Sequence, residues 1–130
     1  MSDQTFRFLL IEKDLFVARD MQEGLRMALP DCDIRCLSLP EDIHGALAET
    51  EAQNGSAPRV VIVTKLSVDQ IDLLGLTDAA SRHRAEMVVR RGDDPPEAVA
   101  ARGWFSLASP FTWDDLSDLA GDLRGRRSAA

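Results

Sequence analysis

Tyrosine is absent from this 130-residue chain, and tryptophan, histidine, cysteine and lysine occur twice each. Each shortage excludes something. The two histidines, His44 and His83, stand apart from any Cys, Asp or Ser at catalytic spacing, so histidine-based catalysis has no constellation, and both are expected on exposed helix or loop positions. Cys32 and Cys36 lie four residues apart with no further ligand nearby. That excludes a disulfide scaffold or a zinc site, and both are expected as small hydrophobes on one strand face with Ile34. No apolar stretch near the N-terminus is longer than Phe8 to Ile11. A signal peptide and a membrane span are therefore not expected, and a cytoplasmic location is. Positive charge is also short: the formal net charge is −7. Nucleic acid and anionic membranes are poor partners for such a chain, because phosphate binding rests on clustered Lys and Arg. The one basic cluster, Arg124, Arg126 and Arg127, reads as a helix C-terminus followed by a frayed tail over 125–130. No glycine-rich nucleotide loop, nucleophile elbow or zinc-protease motif is present, and no enzyme is expected.

What is present is ordinary globular composition, 45% hydrophobic and 28% charged, with no internal linker. One domain over residues 1–130 is expected, its core spanning about 6–124. Three runs, Phe8–Ile11, Val60–Val63 and Met87–Val89, are apolar at consecutive positions, as strands covered on both faces are. Cys32–Leu37 alternates like an edge strand, and Trp104–Ala108 is a fifth candidate. Between them lie helical stripes. Val17, Met21, Leu25 and Ala28 share one face, with Asp14 as N-cap and Pro30 as stop. Ser38–Glu41 reads as a capping box before Ile43, Ala46 and Leu47, and 54–58 as a loop. Weaker helices are expected over 69–82 and 95–102. Thr112 and Asp115 cap a last stripe of Leu116, Leu119, Ala120 and Leu123. Five strand–helix alternations imply an α/β fold with a doubly wound parallel sheet and helices on both faces. In such sheets the functional crevice lies outside the strand C-terminal ends, at 12–14, 64–66, 90–93 and 108–110.

At those positions the chain resembles the receiver domain of bacterial two-component response regulators. Leu9-Leu10-Ile11-Glu12-Lys13-Asp14 is similar to the family's first strand and acidic pair. Pro58 to Thr64 is similar to the strand ending in the phosphoacceptor aspartate, and Ala101 to Phe111 to the closing strand with its Lys-Pro-Phe. The resemblance implies a flavodoxin-like sheet in order 2-1-3-4-5 and a cis bond between Ser109 and Pro110. It also implies that the phosphorylation site is altered. Glu12-Lys13 stands where an acidic pair would hold Mg²⁺, Thr64 at the acceptor, Arg90 at the Ser/Thr position, Ser106 at the aromatic switch, and Ser109 at the lysine.

Phosphoryl transfer to a carboxylate needs that carboxylate and a divalent cation ligated by oxygens. Here the crevice holds Glu12 among Lys13, Lys65 and Arg90. Like charges about 4 Å apart cost about 4 kcal/mol at a protein-surface dielectric, so a cation there opposes Mg²⁺. No metal and no cofactor are expected, and Glu12 is expected to pair with Lys13 or Arg90. The reading is a phosphorylation-independent signalling module that meets a protein partner or a second copy of itself. Aromatics are enriched at interface centres, and Trp104, Phe105 and Trp113, with Ser106, lie where the resemblance puts the partner surface. Trp104 and Phe105 point to opposite faces of the strand, so core filling by some of them is the competing reading. The alternative function is a sensor of an anion or a phosphate-bearing metabolite, held by Lys13, Lys65 and Arg90. Against it, lysines are common on any exposed loop.

Overall fold

The computed structural model describes residues 5–52, 58–90, 92 and 94–125. Of the expected loop over 54–58 only Pro58 is among them, and of the expected frayed tail over 125–130 only Gly125, which is helical rather than frayed; Arg91, Asp93, Arg126 and Arg127 lie outside them. The five strands are β1 (Phe6–Ile11), β2 (Asp33–Leu37), β3 (Arg59–Thr64), β4 (Glu86–Arg90) and β5 (Phe105–Leu107). They form one sheet in the order β2-β1-β3-β4-β5, every pairing parallel. The helices are α1 (Leu15–Ala28), α2 (Asp42–Ala52), α3 (Val68–Leu73), α4 (Leu76–Arg82), α5 (Pro96–Ala100) and α6 (Trp113–Gly125).

Strand alternation divides the core into two layers. Phe8, Leu10, Val61, Val63 and Val88 pack with α1 and α6 residues such as Leu25 and Leu116. Leu9, Val60, Ile62, Met87 and Val89 pack with α2 to α5 through Ile43, Ile71, Leu76 and Val99. Central β3 is buried at all six positions. That is why its sequence runs apolar without alternation.

The helix starts differ instructively from expectation. Asp14 caps α1 by accepting from the Phe16 and Val17 amides. Thr112 and Asp115 form the reciprocal box on α6, each side chain accepting from the other's amide. The Ser38 box does not open α2. Instead, i→i+3 bonds from Asp42, Ile43 and His44 to the Leu39, Pro40 and Glu41 carbonyls lead into a helix that begins at Asp42. The expected helix over 69–82 is two helices, because Gly75 adopts φ +73° between them. A left-handed residue stops the α-helical ladder, and glycine takes that conformation without a Cβ clash. The box that sequence reading missed is Ser67 with Gln70, which opens α3. Cys32 packs against the α1–α6 layer as expected, but Cys36 is exposed on edge strand β2, with the Gln22 amide 2.9 Å from its sulfur. His44 is exposed and His83 half-buried.

Candidate functional site

Of the residues singled out from the sequence, Glu12, Thr64, Lys65 and Arg90 lie at the C-terminal ends of β1, β3 and β4. β1 ends at Ile11, and the Glu12 amide extends the ladder by one bond to the Leu37 carbonyl at 3.1 Å. That fixes the Glu12 backbone at the sheet edge. Its Oε2 accepts from the Asp14 amide at 3.0 Å, so the carboxylate is held by the turn that Asp14 then caps. Arg90 is the last residue of β4 and is 5% exposed. Its Nη1 donates to Glu12 Oε1, its Nη2 lies 3.5 Å from Ser109 Oγ, and its guanidinium carbon sits 5.5 Å above the Phe111 ring. An arginine leaving a buried strand is thus met by a carboxylate on one side and an aromatic face on the other. Glu12 pairs with Arg90, while Lys13 is exposed.

Thr64 is 1% exposed, and its Oγ1 accepts from the Leu66 amide at 3.1 Å. The hydroxyl is therefore engaged in shaping the β3–α3 turn. Lys65, next to it, is exposed. Among the described residues no three His, Cys, Asp or Glu side chains come together as metal ligands. The Ser109–Pro110 peptide is cis.

Lys13 and Lys65, paired in the sequence argument, separate here. Lys65 and Arg90 line a cavity of about 310 Å³ between the β3–α3 and β4–α5 loops, and Lys13 does not. Ser67, Gln70 and Asp94 complete the polar lining and were not singled out beforehand. Asp94 Oδ2 accepts from the Val68 amide at 2.7 Å, which ties one loop to the other. The Ser67-x-x-Gln70 spacing was the readable signal, because it marks a capping box.

The expected partner surface divides as strand parity requires. Trp104 is half-buried against the α2–α5 layer, with Arg102 stacked 5.2 Å over its ring, and Phe105 is half-buried against the other layer. Ser106 is exposed, and Trp113 keeps 46% of its surface in solvent. Larger apolar exposure lies elsewhere. Leu15 and Phe16, in the first turn of α1 beside Glu12 and Lys13, are 79% and 86% exposed. The stripe argument missed them because it tracked only the buried face of α1.

No helix among the described residues is long and apolar enough to cross a membrane. No protein-family model and no curated protein matches the sequence. The fold is similar to that in the crystal structure of a response regulator from Colwellia psychrerythraea. The two share 11% sequence identity and a TM-score of 0.57 over 96% of this chain and 100% of that chain, a likeness of receiver-like fold.

Proposed function

We propose that this chain is a pseudo-receiver: a receiver-like signalling module that accepts no phosphoryl group and acts by contact with a protein partner or with itself. The observation that carries the reading is the buried pair of Arg90 and Glu12 at the sheet's C-terminal edge. Mg²⁺ needs near-octahedral oxygen ligands including a carboxylate, and Glu12 is the carboxylate the resemblance would assign to it. Here one oxygen of Glu12 meets a guanidinium and the other a backbone amide. A fixed cation already offsets that charge, so the residues present do not fit the metal. Thr64 offers a hydroxyl engaged by the Leu66 amide and no adjacent base, which makes it a poor nucleophile. Ser109 brings no ammonium. Each loss costs several kcal/mol of transition-state stabilisation, about a hundredfold or more in rate. Losses within one site are not additive, but no substitute nucleophile is supplied. A module without that chemistry can still signal through its surface. Exposed Leu15, Phe16 and Trp113 supply apolar and aromatic area of the kind that interface centres use.

Incubation with acetyl phosphate and Mg²⁺ followed by intact-mass measurement tests this. Neither the wild-type chain nor Thr64→Asp should gain a phosphoryl group, because the single reversion leaves Arg90 and the lost ligand in place. A stoichiometric adduct on the wild-type chain, mapped to the crevice, would overturn the reading. A pull-down from native cell extract, with Trp113→Ala for comparison, tests the interaction itself.

A further inference from the structure

β2 ends the sheet on the side away from the Arg90–Glu12 pair, and its outer edge carries unpaired backbone groups. The Leu37 carbonyl accepts from the Glu12 amide, so Leu37 turns its backbone toward β1. Strand geometry alternates. Asp33 and Arg35 therefore do the same, while the N–H and C=O of Ile34 and Cys36 face away from the sheet. Among the described residues no hydrogen bond uses those outward groups. Sheet edges are commonly blunted with lysine, proline or a bulge. β2 reads Asp-Ile-Arg-Cys-Leu and pairs with β1 in unbroken register, so it has none of the three. It has opposite charges two residues apart instead. Asp33 and Arg35 are both exposed. Asp33 Oδ2 accepts from Arg7 Nε at 2.7 Å, and Arg35 Nη1 donates to Glu49 of α2. Asp33 Oδ1 and Arg35 Nη2 have no partner among the described residues.

We infer that the chain forms a two-fold dimer by antiparallel pairing of its β2 edges, centred on Ile34, which joins two five-stranded sheets into one. The segment Cys32-Asp33-Ile34-Arg35-Cys36 is complementary to its own reverse. About that centre Ile34 meets Ile34 of the second copy, and the two exchange both backbone bonds. Each Cys36 N–H donates to the Cys32 carbonyl of the other copy; the Cys32 N–H is already engaged by the Leu29 carbonyl at 3.0 Å. Asp33 then faces Arg35 of the second copy at the non-hydrogen-bonded positions, where side chains come closest. With the pairs inside each chain this makes a row of alternating sign: Arg7, Asp33, then Arg35 and Glu49 of the second copy. Other registers lack this match. Centring on Arg35 opposes two arginines, centring on Asp33 opposes two aspartates, and centring on Cys36 sets Arg35 against Leu37. The dimer is the self-contact of the pseudo-receiver proposal and rests on that reading for its signalling role, while the pairing itself rests on β2 alone.

Sedimentation equilibrium of the full chain tests it. An edge-to-edge contact is small and therefore weak, so the dimer fraction should rise with concentration up to about 1 mM. Over the same range, hydrogen exchange at the Ile34 and Cys36 amides should slow. Asp33→Arg and Arg35→Asp each put like charges face to face at both ends of the pairing and should weaken it about tenfold or more. An equimolar mixture of the two variants restores opposite charges at both ends, and should recover most of the lost affinity as a heterodimer. A role of these residues inside one chain gives no such recovery. Asp33→Arg also removes the partner of Arg7, so Cys36→Pro serves as a second variant. It deletes an outward N–H that the monomer does not use, and it should abolish the dimer. A monomer at every concentration, an oligomer larger than a dimer, variants that associate like the wild-type chain, or a mixture no tighter than its parts overturns the inference. The acetyl phosphate measurement is independent: a phosphoryl adduct overturns the pseudo-receiver reading and leaves the dimer standing, and a monomer does the reverse.

Discussion

A guanidinium with 5% of its surface in water is held by whatever meets it, and for Arg90 that is Glu12. The worth of such a pair shows in what remains when one member goes. Glu12→Gln leaves the guanidinium buried with a neutral amide and a serine hydroxyl at 3.5 Å. The expected loss is about 3 kcal/mol, the cost of an uncompensated buried charge. Replacing both residues by leucine removes the charge as well as its partner, and should lose markedly less than the single change. Urea unfolding of Glu12→Gln, and of Glu12→Leu, Arg90→Leu and the double leucine variant, measures the loss and the coupling. A Glu12→Gln loss below about 1 kcal/mol would mean that the pair behaves as a solvated one. This contact was legible beforehand, because a charge at the end of a buried apolar strand needs a partner and Glu12 follows β1 at the same edge of the sheet, across β3 from β4. Asp94 was not legible. Its role is to meet the Val68 amide 26 residues earlier, and which loops come together is a product of the assembled sheet.

Between elements, α1 and α6 approach closely at Gly24. A Cβ built there would lie 2.3 Å from Leu116 Cδ1 and 3.1 Å from Trp113 Cδ1. Gly24→Ala gains helix propensity, about 0.5–1 kcal/mol, in mid-helix. Against that, Leu116 is fully buried and cannot swing aside, and overpacking costs about 1–3 kcal/mol. Steric cost should win, with a net loss of about 1 kcal/mol in denaturant titration; a stabilised Gly24→Ala would show that α6 shifts freely on α1. Across the other layer, Asp72 of α3 holds Arg102, which follows α5, through two hydrogen bonds of 2.6 and 2.7 Å. The Arg102 bonds first, and the Thr77 hydroxyl second, hold the Asp72 carboxyl down at about 2. A carboxyl depressed in the folded state stabilises above its unfolded value and loses that contribution as pH falls through the folded one. The wild-type chain should therefore lose stability between about pH 4 and pH 2 by an increment that Asp72→Asn lacks, seen in melting curves across that window. Equal slopes for the two proteins would sink the brace. The sequence reading took 69–82 as one helix, and Ile71, Leu76 and Ala79 within it are all buried. The break at Gly75 lay in a single residue's backbone, which periodicity does not weigh.

For the whole molecule, strand number and type were readable from local composition, since buried parallel strands need runs without alternation. The order β2-β1-β3-β4-β5 was not; the alternation of elements leaves several doubly wound orders open, and the receiver resemblance selected this one. Nor did the pattern reveal that the sheet carries a second buried arginine at the end opposite Arg90. Arg90 stands at the C-terminal edge, and Arg59, the first residue of β3, at the N-terminal one. Arg59 is held from three sides. Its Nη2 meets both oxygens of Glu86 at 2.7 and 2.8 Å, its Nη1 donates to the Leu123 carbonyl near the end of α6 at 2.7 Å, and its guanidinium covers the Phe6 ring at 4.9 Å. One side chain thus ties β3 to β4 and to the last helix, where a cation also suits the negative end of the helix dipole. Arg59→Lys keeps the charge but cannot reach two carboxylate oxygens and a carbonyl with a planar fork, so it should cost about 2 kcal/mol. Arg59→Met leaves Glu86 without its cation and Leu123 without its donor, and should cost about 3–4 kcal/mol. Because Arg59 lies at the opposite end of the sheet from Arg90, neither change should alter the amide shifts of Leu66 to Val68. Urea unfolding with amide NMR of the folded variants measures both effects. An Arg59→Lys variant as stable as the wild-type chain would show that charge alone, without the fork, holds this end of the sheet together.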